Sequence, residues 1–434
     1  MREEKEGVQE MTRTIKLDHV TKIEGHAKLH IRIDKGEVKE ASLNIFEGSR
    51  YFEGILKNKL WNDLPNISSR ICGVCSPVHT LTSVKAIENA FGVRVSPQTS
   101  LLRELINIGG LIQSHVLHLY FLTLPDYTGH SSALDMLPKY KPEIEKALRI
   151  KRAGNAMVNV LGGRDIHPIA VIPGGISRIP DQKAVDTLLT QLLAVQKDAK
   201  ETVELFSELN YPHFEHQKLL VALGGGAYFD SSDIVACQED KCFQTKDYEQ
   251  HFKEFFQEDS TAEFVMKDGK SYMVGALSRL YNNKDQLSNY SIKLADKLLK
   301  HKFSPYMNNI AQAIEVHEGV RRSIEILENM KLKQESPKLI TPKASIGVGA
   351  SEAPRGILFH KYKFDKDGKC TYANITTPTS QNLLNLQESI KIYLPTILNK
   401  SKDEIKLELE KLIRAYDPCI SCSTHFLELD LEKV

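Results

Sequence analysis

Two Cys-x-x-Cys pairs stand near opposite ends of the chain, Cys72/Cys75 in RICGVCSPVH and Cys419/Cys422 in DPCISCSTH. Two intervening residues let a tight turn bring both sulfurs of a pair onto one metal ion. A histidine follows each pair, His79 and His425. Four thiolates are soft donors that suit zinc, iron–sulfur or a late transition metal over hard cations. One pair alone is also the mark of a structural zinc half-site or a redox dithiol, and a zinc ribbon sets its pairs about 15–20 residues apart. Here most of the chain lies between them, so a joint site forms only when both ends fold together. That suits a cofactor enclosed by the whole domain. Cys237, Cys242 and Cys370 lack ligand spacing and read as core or surface thiols. His115 and His118, three apart, share a helix face and read as core or proton-network residues.

The elements that must position these residues follow from periodicity. Residues 1–13 read as an adaptable lead-in. From Thr14 to Ile45 apolar and polar residues alternate, and Asp34-Lys35-Gly36 reads as a turn, so a small antiparallel sheet is expected. RYFEGILKNKLWNDLP reads as a helix closed by Pro65. After Cys75, Ser76 is the expected N-cap, Pro77 the first helical residue, and Gly92 the end of that helix. Helical patterns follow at 97–124, 138–160, 182–209, 284–333, 380–398 and 402–415. The stretch 210–280 is mixed, and its GGGAYFD lacks dinucleotide-cradle spacing and reads as a turn. Residues 338–379 read as strands with Asp367-Gly368 as a hairpin turn. No repeat and no linker interrupts the pattern. The expected fold class is α+β and mostly helical, one large helix-rich body with a small N-terminal antiparallel sheet.

Composition narrows the function. The chain has 434 residues, 41% hydrophobic and 26% charged, an ordinary globular mix that can bury a sizeable core. Lys+Arg of 57 against Asp+Glu of 56 leaves a net charge of +1, which argues against nucleic acid or an anionic membrane as the main partner. The apolar run Leu101 to Leu124 carries Arg103, Glu104, Asn107, Gln113, His115 and His118, too polar for a lipid-facing helix, so no membrane span is expected. The N-terminus lacks the apolar core of a secretory leader. Seven cysteines, odd and sparse, fit a reducing compartment, so a cytoplasmic location is expected.

The two cysteine motifs, with TKIEGHAKL, SRYFEGILK, QSHVLHLYFLTLPDY, GASEAPRGIL and ITTPTSQN in order, resemble the large (catalytic) subunit of [NiFe] hydrogenases. The resemblance runs from about Val20 to His425. The short length, PDYTGHSS and RAYDPCISCS are most similar to α subunits of the NAD(P)-linked, sulfhydrogenase-like class. It implies that Cys72 and Cys419 are terminal Ni ligands, that Cys75 and Cys422 bridge Ni and Fe, and that the Fe carries CO and two cyanides. It makes Glu24 the proton-accepting carboxylate beside a terminal cysteine, and Arg355 a cation over the open coordination position that donates to one cyanide. Thr379 would donate to the other cyanide, and Asp417 would orient Arg355. It implies a Mg²⁺ (or Fe²⁺) held by Glu53, the Ile375 carbonyl and His425. His79 is expected to hydrogen-bond near Cys75. In one departure, Ser114 stands where membrane-bound members carry an aspartate.

A large-subunit domain over 14–425 is expected, with residues 426–434 an extension that a maturation protease removes after a nickel chaperone has acted. This chain has no further cysteine cluster for iron–sulfur centres. The resemblance therefore implies an Fe–S small subunit near the first motif and flavin/Fe–S subunits that reach NAD(P). The expected activity is reversible heterolytic cleavage of H2. Alternatives are an H2-evolving or polysulfide-reducing complex, or a non-catalytic hydrogenase-like subunit.

Overall fold

A computed structural model of the chain describes residues 13–17, 20–34, 37–48, 51–216, 218–226, 228–229, 233–238, 243–258, 260–299 and 303–424. The lead-in up to residue 12, the Lys35-Gly36 turn, Cys242, His425 and the tail 426–434 lie outside the described residues.

Strands β1 (Arg13–Leu17), β2 (Ala27–Asp34) and β3 (Glu37–Ile45) form the expected antiparallel sheet, in sequence order. Along β2, Ala27, Leu29, Ile31 and Ile33 are buried and their neighbours are not, the period-two pattern of a sheet with one wet face. The expected helix over 50–65 is two short helices instead, α1 (Phe52–Leu56) and α2 (Leu64–Ser68). Between them Asn58 takes a positive φ of 65°, and the main-chain N–H groups of Asn58 and Trp61 bond the carbonyls of Cys370 and Gly368. Cross-chain pairing with a later hairpin thus replaces helical bonds. Pro65 opens α2 rather than closing α1, since its missing N–H costs nothing in a first turn.

Helix α3 (Ser76–Phe91) starts one residue earlier than expected, with Cys75 as N-cap and Pro77 in the first turn, and ends at Gly92 with φ 71°. Helix α4 (Pro97–Val116) continues through a π-helical stretch, Leu117–Thr123, into α5 (Leu124–Thr128). This run is the one described helix long and apolar enough to cross a bilayer, yet 83% of its apolar window is buried within the fold. Helix α6 (Leu137–Gly162) precedes the hairpin β4 (Val171–Ile172) and β5 (Gly175–Ile176), and α7 (Gln182–Ser207) follows. Then come β6 (Val221–Gly224), β7 (Ile234–Cys237), β8 (Phe243–Gln244), α8 (Tyr248–His251), β9 (Phe252–Phe256) and β10 (Glu263–Lys267). Helices α9 (Ala276–Asn283), α10 (Asn289–Leu299) and α11 (Met307–Asn329) lead to β11 (Ser345–Ala353), β12 (Gly356–Phe364) and β13 (Cys370–Thr376). Helices α12 (Pro378–Tyr393) and α13 (Lys402–Ala415) close the order.

The β11–β12–β13 sheet is antiparallel and lies on α3. Gly347 and Gly349 make that approach possible, because a Cβ at either would collide with the Ala86 and Thr82 carbonyl oxygens of α3. The main core packs α4 against α6 and α11, and α11 against α7. The result is the expected mostly helical α+β body with small antiparallel sheets.

Candidate metal centre

The first cysteine pair straddles the start of α3: Cys72 is in extended backbone and Cys75 caps the helix. The second pair sits on a 3-10 turn, Ile420–Ser423, with Cys419 extended just before it. The four sulfurs lie within 4.8 Å of one another and all four residues are buried. Cys72 Sγ is 3.4 Å from Cys419 Sγ, which is 3.2 Å from Cys422 Sγ. Neighbouring thiols, Cys419 first, hold Cys72 well below the usual thiol range, while the same proximity pushes Cys419 well above it. Such a set cannot ionise fully without a cation in its midst, and a bound metal deprotonates its thiols outright. Four enclosed soft donors fit nickel and iron.

Glu24 reaches the second pair through the backbone. Its segment bridges Cys419 in parallel, its carbonyl accepts the Ile420 N–H at 2.9 Å, and Oε2 accepts the Ser421 N–H at 2.9 Å. Cys419 Sγ lies 3.2 Å from that same Oε2. Gly25, with φ 87°, is what lets the strands close, since a Cβ there would stand 2.5 Å from Ile420 Cβ. Glu24 keeps part of its surface exposed whereas Cys419 is fully buried. The pair therefore links enclosed sulfur to the wetter side.

Arg355 occupies the two-residue tip between β11 and β12 and is buried. It donates from Nε to the Asp417 carbonyl at 2.6 Å and from one terminal nitrogen to Asp417 Oδ1 at 3.0 Å. The other terminal nitrogen lies 3.2 Å from Cys75 Sγ. Asp417 adopts φ 49°, a left-handed backbone that non-glycine residues rarely hold except under constraint at functional sites. Thr379, in the first turn of α12, accepts the Cys419 N–H at 3.1 Å, leaving its hydroxyl proton for another acceptor.

Sequence reasoning missed several contributors. Gln312 on α11 donates to Asp417 Oδ2 at 3.0 Å and is itself 2.6 Å from His118 Nδ1. His79 hydrogen-bonds near Cys75 as expected, its main-chain N–H donating to the Cys75 carbonyl at 3.1 Å, while its ring meets Cys422 Sγ at 3.9 Å and its other ring nitrogen is 3.1 Å from His360. His360 continues to the Tyr362 hydroxyl at 2.6 Å. No motif or spacing marks Gln312 or His360, and only the fold brings them in. Cys237 and Cys370 are buried apart from the four-sulfur group. Of the glycine-rich stretch, Gly224 ends β6 and Gly225 leaves it with φ 81°.

A second cluster lies under β13. Glu53 Oε1 accepts the Ile375 N–H at 2.6 Å. Glu254 accepts from Asn374 Nδ2 at 2.8 Å and from the Thr376 hydroxyl. Burial, with Glu254 adding, pushes the Glu53 carboxyl up to about 8, and burial also lifts Glu263 beside it. Carboxyls grouped in this way, Glu263 buried, Glu53 partly buried and Glu254 on the exposed side, either keep protons or face a cation, and oxygen donors are what Mg²⁺ takes.

A sequence model described as nickel-dependent hydrogenase matches residues 50–147 and 268–425, and another described as HoxL-like matches 14–47. The chain belongs to the nickel-dependent hydrogenase family. It is 38% identical over 422 residues to sulfhydrogenase 1 subunit alpha of Pyrococcus furiosus, covering 96% of this chain and 98% of that relative. It is 26% identical over 472 residues to the NAD-reducing hydrogenase HoxS subunit beta of Cupriavidus necator, covering 96% of each. Its fold matches a solved NAD+-reducing [NiFe]-hydrogenase in the H2-reduced state with a TM-score of 0.86 at 25% identity, over 95% of this chain and all of the other. The chain is thus the catalytic subunit of a [NiFe] hydrogenase, an oxidoreductase acting on H2. In this hydrogenase the fold gathers Cys72, Cys75, Cys419, Cys422, Glu24, Arg355, Asp417 and Thr379 around one point. Glu53 and Ile375 meet at a second point, through the Ile375 N–H. His425 lies outside the described residues.

Proposed function

We propose that Cys72 and Cys419 hold nickel as terminal ligands and that Cys75 and Cys422 bridge it to an iron carrying CO and two cyanides. The observation that carries this reading is the enclosure of four sulfurs, one carboxylate and one guanidinium around a single point. When bound, the centre supplies heterolytic cleavage of H2. Cys419 Sγ accepts the proton and passes it across 3.2 Å to Glu24 Oε2, a direct hydrogen-bond relay. Arg355 stays charged and polarises the site without titrating, and Asp417 holds its fork. The Thr379 hydroxyl and the Arg355 fork would be the donors to the two cyanides of the bound group.

Glu53, with the Ile375 carbonyl and His425, holds Mg²⁺ (or Fe²⁺) in the acidic cluster. Residues 14–425 make up the catalytic domain, and a maturation protease removes 426–434 after a chaperone has delivered nickel. Electrons leave to an Fe–S small subunit docked near Cys72 and Cys75 and then to flavin/Fe–S subunits that reduce NAD(P). No disulfide joins the six described cysteines, which suits a cytoplasmic complex. Metal analysis of the complex purified anaerobically from nickel-replete cells tests the ligand set. Wild type should hold nickel stoichiometric with this chain, and Cys422→Ser should lose that nickel while the iron of the partner subunits' Fe–S clusters remains. Undiminished nickel in Cys422→Ser would refute the ligand assignment.

A further inference from the structure

The turn that presents Arg355 is held from behind by a second buried arginine. Ala353 and Gly356 pair directly, so Pro354 and Arg355 alone form the tip. The carbonyl oxygens of Ala353 and Pro354 accept from the two terminal nitrogens of Arg279 at 2.8 and 3.0 Å. The same guanidinium donates to Glu315 Oε1 and Oε2, both at 2.7 Å, and to Glu352 Oε2 at 2.8 Å. A guanidinium has five N–H donors, and here five acceptors take them. Glu315 on α11 also accepts from His115 Nε2 and the Tyr228 hydroxyl, each at 2.8 Å, and Glu352 Oε1 accepts the Leu223 N–H at 2.7 Å. Burial pushes Glu315 up, but Arg279 and His115 outweigh it and hold the carboxyl down to about 2, so it remains charged. Burial also lowers His115, which leaves that ring neutral.

Two carboxylates could be neutralised by a lysine. The two turn carbonyls could not be served as well, because an ammonium has three donors and no planar fork. The use of the remaining two donors on the Ala353–Pro354 peptides is what singles out arginine here. We propose that Arg279 is a positioning residue for hydrogenase chemistry: it fixes the Pro354–Arg355 turn and thereby the placement of the Arg355 guanidinium against Cys75 and Asp417. This inference rests on the role assigned to Arg355 above.

The test uses the anaerobically purified holoenzyme complex and the infrared bands of metal-bound CO and cyanide. Arg279→Lys keeps the buried charge and removes the fork. It should retain wild-type nickel and iron, lose about tenfold in kcat with KM for H2 unchanged, and shift the cyanide bands as Arg355→Lys does. Added to Arg355→Lys, it should cost less than about twofold more, because both act through one group. Pro354→Gly removes the stiffness of the proline but leaves both Arg279–carbonyl bonds in place, so its bands and turnover should stay near wild type, which can be read even if Arg279→Lys fails to assemble. Unshifted bands with wild-type turnover in Arg279→Lys would overturn the proposal, as would an Arg355→Lys-like shift in Pro354→Gly, which would make the proline and not Arg279 the element that fixes the turn, or a fully multiplicative loss in the double variant. A wild-type complex without these bands would instead end the hydrogenase reading itself, so the two failures are distinguishable.

Discussion

Glu24 and Cys419 are joined twice, once by backbone and once by side chain. The Glu24 segment bridges Cys419 as a parallel strand, and Glu24 Oε2 stands 3.2 Å from Cys419 Sγ. The backbone bridge fixes the carboxylate before any chemistry begins, so little rearrangement is needed to move a proton off the sulfur. Glu24→Gln keeps the shape and the acceptor for the Ser421 N–H but cannot take up a proton. H2/D2O exchange should fall about 10²- to 10⁴-fold with nickel and iron content intact. Metal loss in that variant would mean that Glu24 is structural.

Asp417→Asn isolates charge from conformation. Asparagine tolerates the left-handed backbone that Asp417 holds at φ 49°. The substitution removes the countercharge of Arg355 together with one of the two side-chain oxygens that accept from Arg355 and Gln312. Leaving that buried guanidinium without its carboxylate should cost up to about 3–5 kcal/mol locally. Thermal melts of the complex should shift downward and turnover should drop at least about tenfold. Wild-type turnover would show that Arg355 needs no carboxylate partner.

Gly25→Ala should damage assembly more than chemistry. The added methyl would meet Ile420 at 2.5 Å, and φ 87° disfavours any side chain. The strand carrying Glu24 would be forced off the second cysteine motif. Nickel per chain should fall, whereas the residual metal-loaded fraction should keep near-normal specific activity. Full nickel occupancy would contradict the close packing.

The four cysteines were legible in the sequence from their own spacing, Glu24, Arg355, Asp417 and Thr379 only through the family resemblance, and most helices from Ser76 onward from their periodicity. The break at Asn58 was not, because the bonds that replace the helix come from Gly368 and Cys370, far along the chain. The π-helical stretch at Leu117–Thr123 was equally hidden: its apolar spacing reads like the helix around it. Gln312, His360 and Arg279 carry no local signature. Their importance lies in what they face, and only packing of α9, α11 and β12 around the site decides that.

His216 gives the acid limb of stability a defined origin. Burial, with Lys218 nearby, lowers its pKa from 6.5 to about 4. The unfolded chain binds the proton first, so the contribution is complete above pH 6.5 and is lost as pH falls through the window down to about 4. His216→Gln should flatten the melting-temperature profile in that window and leave it unchanged at pH 8. A profile identical to wild type would assign the acid sensitivity elsewhere.

The most direct test of the central claim is an infrared spectrum of the complex purified anaerobically from its own host. No protein group absorbs where metal-bound CO and cyanide do. The account predicts one CO band and two cyanide bands that vanish in Cys75→Ser and Cys422→Ser. A blank spectrum from nickel-replete cells that hold the mature complex would contradict it.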